Sequence, residues 1–245
     1  MRVAKAWIVA KKELAVLRKT KSVLYSVLAF PLFVAVGLPL VVMAAGGRGP
    51  GIPASVLPVL LDSFSFFFII GTAALPVTIA SYSLVGEKVE RSLEPLLATP
   101  ATDSEILLGK GLAAFLPPIV STYAGSVVFM ALMDKFTIAK LGYPYFPNPT
   151  IAIILIAIAP LACLLSVESG IVISSLVSDI RSAQQVGGLM ILPFAAIYVA
   201  SEIGLLPLTW LNLLAISGVL LVVDLLLYLV SRATFRRDDI LTRWK

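Results

Sequence analysis

Three carboxylates, Asp62, Glu168 and Asp224, interrupt otherwise apolar runs of the sequence. An ionisable group inside hydrocarbon is costly, so each is a candidate for cation binding, for a proton carried during transport, or for bridging neighbouring helices as a protonated carboxyl. Asp62 lies near the outer end of its run, where water reaches it, and is given no special role. Glu168 is deep enough for either a transport or a bridging role, and both stay open. Asp224, about two turns from the cytoplasmic end of its run, reads as a bridge. Other chemistries are excluded by composition. The chain has no histidine, which removes the usual base of Ser-His and Cys-His catalysis and the commonest metal ligand. A lone Cys163 in an apolar run gives neither a disulfide framework nor a thiolate metal site. No paired aspartates share a span, so an intramembrane aspartyl protease has no footing.

The elements that must position these groups follow from the polarity of the chain. Of 245 residues, 59% are hydrophobic and 13% charged, and the mean hydropathy is +1.01. Soluble domains carry about 25% charged residues, so the chain lacks the polar surface of a water-facing globule. It reads as an all-α integral membrane protein. A spanning helix needs roughly 20 apolar residues, and six segments reach or approach that length: 22–45, 56–82, 111–133, 149–178, 186–201 and 208–231. A secretory signal peptide is the competing reading of the first, but its apolar run is too long and its basic leader too extended.

Lys and Arg between these segments are divided unequally. The leader, residues 83–110, residues 179–185 and the tail after 231 hold 16, while the alternate loops hold 3. The positive-inside rule then places both termini in the cytoplasm and the protein in the cell membrane. The same rule accounts for the net charge of +5 with no nucleic acid as partner. The domain organisation is one transmembrane unit: an amphipathic leader (1–21), spans one and two (22–82), a cytoplasmic connector (83–110), spans three to six (111–231) and a cytoplasmic tail (232–245).

Two cytoplasmic stretches are amphipathic. In the leader, Val3, Trp7, Ala10, Leu14 and Leu17 recur at helical spacing, with Lys5, Lys11, Lys12, Arg18 and Lys19 over the remaining surface; a helix lying in the membrane interface is expected. The alternative is a frayed leader that only supplies positive charge. The connector GEKVERSLEPLLATPATDSEILLGK (86–110) holds five of the fourteen acidic residues. Val89, Leu93, Leu96 and Leu97 form an apolar stripe beside Glu87, Glu90, Arg91 and Glu94. Pro95 kinks or splits that helix, and Thr102 with Glu105 reads as a capping box that starts the next one. A helix resting on lipid normally carries a basic polar face. This face is acidic and suits a protein partner.

Within span four, Ser166, Gly170, Ser174 and Ser178 repeat every four residues, a stripe that lets helices approach closely. Glu168 lies roughly 200° around the helix from Ser166, so packing and ion contact would use different faces.

The stretch GEKVERSLEPLLATPATDSEILLGKGLA resembles the segment after the second span in permease subunits of type-2 ATP-binding-cassette (ABC) transporters, particularly the branch associated with sodium and drug extrusion. Glu87, Glu90, Leu93, Leu96, Leu97, Pro100, Leu108, Gly109 and Lys110 carry the similarity. The basic leader, the six spans, SDIRSAQQ after span four and the closing FRRDDILTRWK also fit. The resemblance implies an exporter half, with two six-span subunits facing one another as a homodimer or related heterodimer. Each rests on a cytoplasmic ABC ATPase through a coupling element at Glu87, Glu90, Leu93, Glu94, Leu96 and Leu97. The short external loops argue against a large external substrate-handling domain. Gly109-Lys110 lacks the upstream glycine and following Ser/Thr of a Walker A motif. The chain is thus expected to bind no cofactor itself and to be no enzyme, with ATP and magnesium on the partner ATPase. The alternatives are an ATP-independent secondary transporter or channel using Glu168 and Asp224 for ion coupling, or a structural scaffold. Neither explains the acidic connector with its leucine stripe.

Overall fold

A computed structural model of the chain describes residues 3–46, 52–89, 102–177 and 179–234. Every regular element among them is helical, and six helices are long and apolar enough to cross a membrane: Val23–Ala45, Leu57–Ala80, Ser104–Leu141, Pro149–Ser174, Arg181–Glu202 and Trp210–Ser231. They are preceded by α1 (Val3–Lys19).

Proline shapes several of these spans without ending them. Span one runs as α2 (Lys21–Leu32), a wide π turn (Phe33–Gly37) and α3 (Leu38–Gly46). Pro31 and Pro39 flank the turn, and a π turn absorbs the donor that a proline removes. Span two is α4 (Leu57–Ser65) and α5 (Phe67–Val89). Span four repeats the device of span one: α7 (Pro149–Ile153), a π turn (Ile154–Ile158) and α8 (Ala159–Leu176), with Pro160 just after the turn. There the Leu155 carbonyl accepts the Tyr123 hydroxyl at 2.9 Å, tying span four to span three. Span five is α9 (Ile180–Gly188) and α10 (Ile191–Glu202), and span six is α11 (Trp210–Thr234).

The helix of span three runs well past its apolar segment. This helix, α6, is a single 39-residue run from Asp103 to Leu141, about 58 Å long at 1.5 Å per residue. Apolarity alone placed its ends at Gly111 and Met133, where charges begin. The helix carries on through those charges because its stop signals lie farther out. Thr102 caps the start, and Gly142, at φ 81°, supplies the left-handed residue that ends it. Asp134 on the added turns accepts the Tyr145 and Phe146 amides at 3.0 and 2.9 Å, which folds the following loop back onto the helix. Span five likewise begins earlier than expected, at Arg181, and is broken near Leu189.

Helix α8 is the centre of the bundle, packing most extensively on α5 and next on α11. Two apolar cores flank it along its length. One contains Phe66, Phe68, Phe129 and Phe146 near the Asp62 end of the bundle. The other, near α1, contains Val27, Ile79, Ala80, Ile106, Ala114, Val167 and Ile171.

The leader is helical, and it packs on span three through a face beside the apolar stripe. Ala6, Val9 and Ala10 are buried against α6, whereas Val3 is 71% and Trp7 42% exposed. The packed face is rotated by roughly 70° from the expected stripe on helical spacing. Small residues let the α1 backbone come close to span three, and the bulkier ones are left facing outward.

Candidate functional site

The connector between spans two and three is described only at its two ends. Helix α5 continues to Val89, so Glu87 falls in its last turn. Its side chain, and Glu90, Leu93, Glu94, Leu96 and Leu97 with their proline kink, lie outside the described residues. The chain re-enters at Thr102 with the capping box formed in both directions. Thr102 Oγ1 accepts the Glu105 amide at 3.4 Å, and the Thr102 amide donates to Glu105 Oε2 at 3.0 Å.

Two turns further on, Gly109 and Lys110 hold α1. A Cβ at Gly109 would stand 2.6 Å from Val9 Cβ and 2.7 Å from the Ala6 carbonyl oxygen. Contacts this short require glycine, because one partner is backbone and cannot rotate away. Lys110 is 2% exposed, and its Nζ meets Glu13 Oε1 at 3.4 Å. The Gly-Lys pair that carried part of the family resemblance thus has a local physical reason: one residue admits the leader helix and the other pairs with its only acid.

On α8 the small residues and the carboxylate point in different directions. Ser166 donates to the Ala73 carbonyl of span two, and a Cβ at Gly170 would be 2.7 Å from Ala80 Cβ. Ser174 is buried and donates to the Ile171 carbonyl; Ser178 lies outside the described residues. The close approach of this stripe is therefore to α5 of the same chain.

Glu168 faces α11 instead. It is 7% exposed, Asp224 is 3% exposed, and the Asp224 carboxylate is close enough for its charge to act on Glu168. Glu168 Oε2 and both Asp224 oxygens have no hydrogen-bond partner among the described residues. Next to Glu168 an apolar cavity of about 300 Å³ opens between spans three, four and six, with Tyr228 and Ser231 also on its wall and Asp224 outside it. Asp224, Tyr228 and Ser231 recur at four and three residues, which puts them on one face of α11.

The family model for ABC-2 family transporter proteins matches residues 54–219, well over half of the 245 residues. The chain belongs to the ABC-2 transporter family. It is a multi-pass membrane protein and the transporter component of an ABC system, and the family implies an ABC ATPase as partner. The domain matched is that of a membrane permease and is not itself an ATPase. No curated protein sequence matches the chain.

Asp62 of this ABC-2 permease is engaged, not merely hydrated. Its two oxygens accept Asn148 Nδ2 at 2.8 Å and Thr150 Oγ1 at 3.4 Å, and Tyr145 bonds to it as well. Asp62 therefore ties the start of span two to the entry of span four. Burial, with the Asp62 charge beside it, pushes the Tyr145 hydroxyl above its ordinary range and keeps it a donor. The sequence signal for this knot was weak, since Asn148 serves openly as an N-cap for α7 and its amide is free for a second bond. Glu13 also went unnoticed, although a lone acid in a strongly basic helix is a usable sign of a specific partner.

Proposed function

We propose that this chain is the permease subunit of an ATP-driven exporter in the sodium/drug-extrusion-like branch of the family. Two such subunits, identical or related, face one another in the cell membrane with both termini in the cytoplasm. Each rests on a separate ATPase that carries ATP and magnesium. The family match over residues 54–219 carries this reading, because it spans the connector that the resemblance identifies as the coupling element. The branch rests on the resemblance at Glu87, Glu90, Leu93, Leu96, Leu97, Pro100 and Leu108 to Lys110. The sidedness rests on the division of Lys and Arg.

In this reading Leu93, Leu96 and Leu97 fill an apolar groove on the ATPase, and Glu87, Glu90 and Glu94 meet its basic rim. Nucleotide binding draws two ATPases together, and the docked connectors tilt the attached spans, giving alternating access by rigid-body motion. The leader, with Val3 and Trp7 turned outward, rests in the inner membrane interface.

The test is retention of the ATPase by membrane-extracted permease, together with transport in vesicles. Buried interface anchors commonly cost about 2 kcal/mol or more when lost, whereas rim charges chiefly affect association rate and salt dependence. Leu93→Asp/Leu97→Asp should insert normally, release the ATPase and abolish transport. Charge reversal at Glu90 should weaken association mildly, less so at high salt. Full transport by purified permease without an ATPase would reject this mechanism in favour of ion coupling through Glu168 and Asp224.

A further inference from the structure

Helix α1 is held to span three by one face and turns another outward. Ala6, Val9 and Ala10 are buried against α6, and Glu13, on the same side of the helix, meets the buried Lys110 at 3.4 Å. On the opposite side Trp7, Lys11 and Arg18 recur at intervals of four and seven, with Ile8 and Lys19 each one residue on. All five are exposed. Glu13 is the only acid in the first 21 residues, so turning it inward leaves the outward face cationic. Lys12, at the edge of that face, stays within 3.7 Å of Glu13, while among the described residues no carboxylate pairs with Lys11, Arg18 or Lys19.

The chemistry of this face fits a lipid surface that carries negative charge. Val3, Trp7, Ile8 and Val16 expose apolar carbon beside the cations, which suits the boundary between headgroups and acyl chains, with the Lys and Arg stems reaching outward. Only Thr20 separates α1 from α2, so the helix runs straight into span one and is kept at the membrane surface. Trp7 suits headgroup depth, and Lys11 Nζ lies over its ring, 5.9 Å from the centroid. A bare indole face would take the choline of a zwitterionic lipid. Here that face already carries a cation, and what the pair offers a headgroup is positive charge. We propose that the outward face of α1 binds anionic phospholipid, Lys11, Arg18 and Lys19 meeting the headgroup charge while Trp7 and Ile8 sit among the upper acyl carbons. The leader is then clamped between span three and an acidic leaflet, and anionic lipid is a partner of the permease. This rests on the functional reading above only for the leaflet, the cytoplasmic one.

The experiment uses the purified full chain carrying Cys163→Ser and Ala15→Cys, with pyrene attached at position 15, an exposed site on the outward face. Phosphatidylcholine nanodiscs hold small amounts of either phosphatidylglycerol or phosphatidylcholine bearing a nitroxide on the same acyl carbon, and quenching of pyrene reads which lipid gathers at the leader. No ATPase is present and both leaflets hold the same lipids, so failure leaves the docking and topology tests untouched. Phosphatidylglycerol should quench at about one-fifth of the mole fraction that phosphatidylcholine needs, the effect of a single cation at an anionic surface. The preference should vanish in Lys11→Gln/Arg18→Gln/Lys19→Gln. It should persist in Lys11→Arg/Arg18→Lys/Lys19→Arg, which keeps the charge, and in Lys135→Gln/Lys140→Gln, at the far end of α6. Equal quenching by the two lipids, a preference that survives the glutamine variant, or its loss in the charge-conserving variant overturns the proposal. An equal loss in Lys135→Gln/Lys140→Gln would assign the preference to overall charge and overturn it too. Absence of any preference, with release of the ATPase by the glutamine variant in the pull-down, would make the face a protein-docking surface instead.

Discussion

Replacing Gly109 with alanine should lift the leader helix off span three, and the structure sets the size of the effect. The new Cβ would meet Val9 Cβ at 2.6 Å and the Ala6 carbonyl oxygen at 2.7 Å. Overpacking of this kind costs about 1–3 kcal/mol. The backbone contact cannot be relieved by a rotamer change, which places Gly109→Ala near the upper figure, while helix propensity offsets about 1 kcal/mol. A net cost of about 2 kcal/mol corresponds to roughly a 30-fold rise in the population of undocked leader. The Glu13–Lys110 contact at 3.4 Å should loosen with it. Ala10, fully buried against α6, is the reporter. In a Cys163→Ser background, Ala10→Cys should react slowly with a membrane-impermeant maleimide supplied from the leader's side, and about 30-fold faster once Gly109→Ala is added. Trimming Val9 to alanine should restore little, because the Ala6 carbonyl remains. Equal labelling rates with and without Gly109→Ala would refute the claim that this glycine is the seat of α1.

The Gly170 contact should behave differently, because its obstacle is a removable methyl. Gly170→Ala should destabilise by about 1–3 kcal/mol in thermal unfolding of the purified chain, and Ala80→Gly should recover part of it as a positive coupling in a double-mutant cycle. Asp62→Ala would leave the Asn148, Thr150 and Tyr145 donors without their acceptor, an expected loss of about 1–3 kcal/mol, read by unfolding midpoint with no change in topology. Single-cysteine labelling should find positions 48 and 140 outside and positions 88, 181 and 237 inside; external labelling at 88 or 181 would sink the six-span arrangement.

What the sequence made legible was whatever depends on local spacing. Six spans follow from apolar length, and the Thr102/Glu105 box follows from a three-residue interval that the backbone of a helix start enforces. The opposite directions of Ser166 and Glu168 follow from the helical repeat alone. What stayed hidden depends on which helix lies across from which. Glu168 and Asp224 are 56 positions apart, and nothing in either apolar run says that α8 and α11 face one another. The face of α1 that packs on span three is hidden for a related reason: the periodicity marks an apolar stripe for the membrane interface, while close approach to Gly109 selects Ala6, Val9 and Ala10. The far end of the span-three helix is hidden because apolarity stops at Met133, whereas the helix ends at its Gly142 cap.

The position of α6 joins the three parts of the proposed machine. Its capped start follows directly on the segment assigned to docking. One to two turns later Gly109 and Lys110 hold the leader helix, and Leu107, Leu108, Gly111 and Leu112, interleaved with them along the helix, line the cavity beside Glu168. A capped helix start resists fraying, so a push at the connector would be delivered along the axis instead of being absorbed in the first turn. The same displacement would have to carry α1, because the Gly109 contact leaves no slack between the two backbones. Movement at the ATPase surface would therefore reach the cavity wall within about 15 Å of helix, with the leader sliding in the interface as it moves. Glu168, held on α8, would stay behind while the wall contributed by α6 shifted past it.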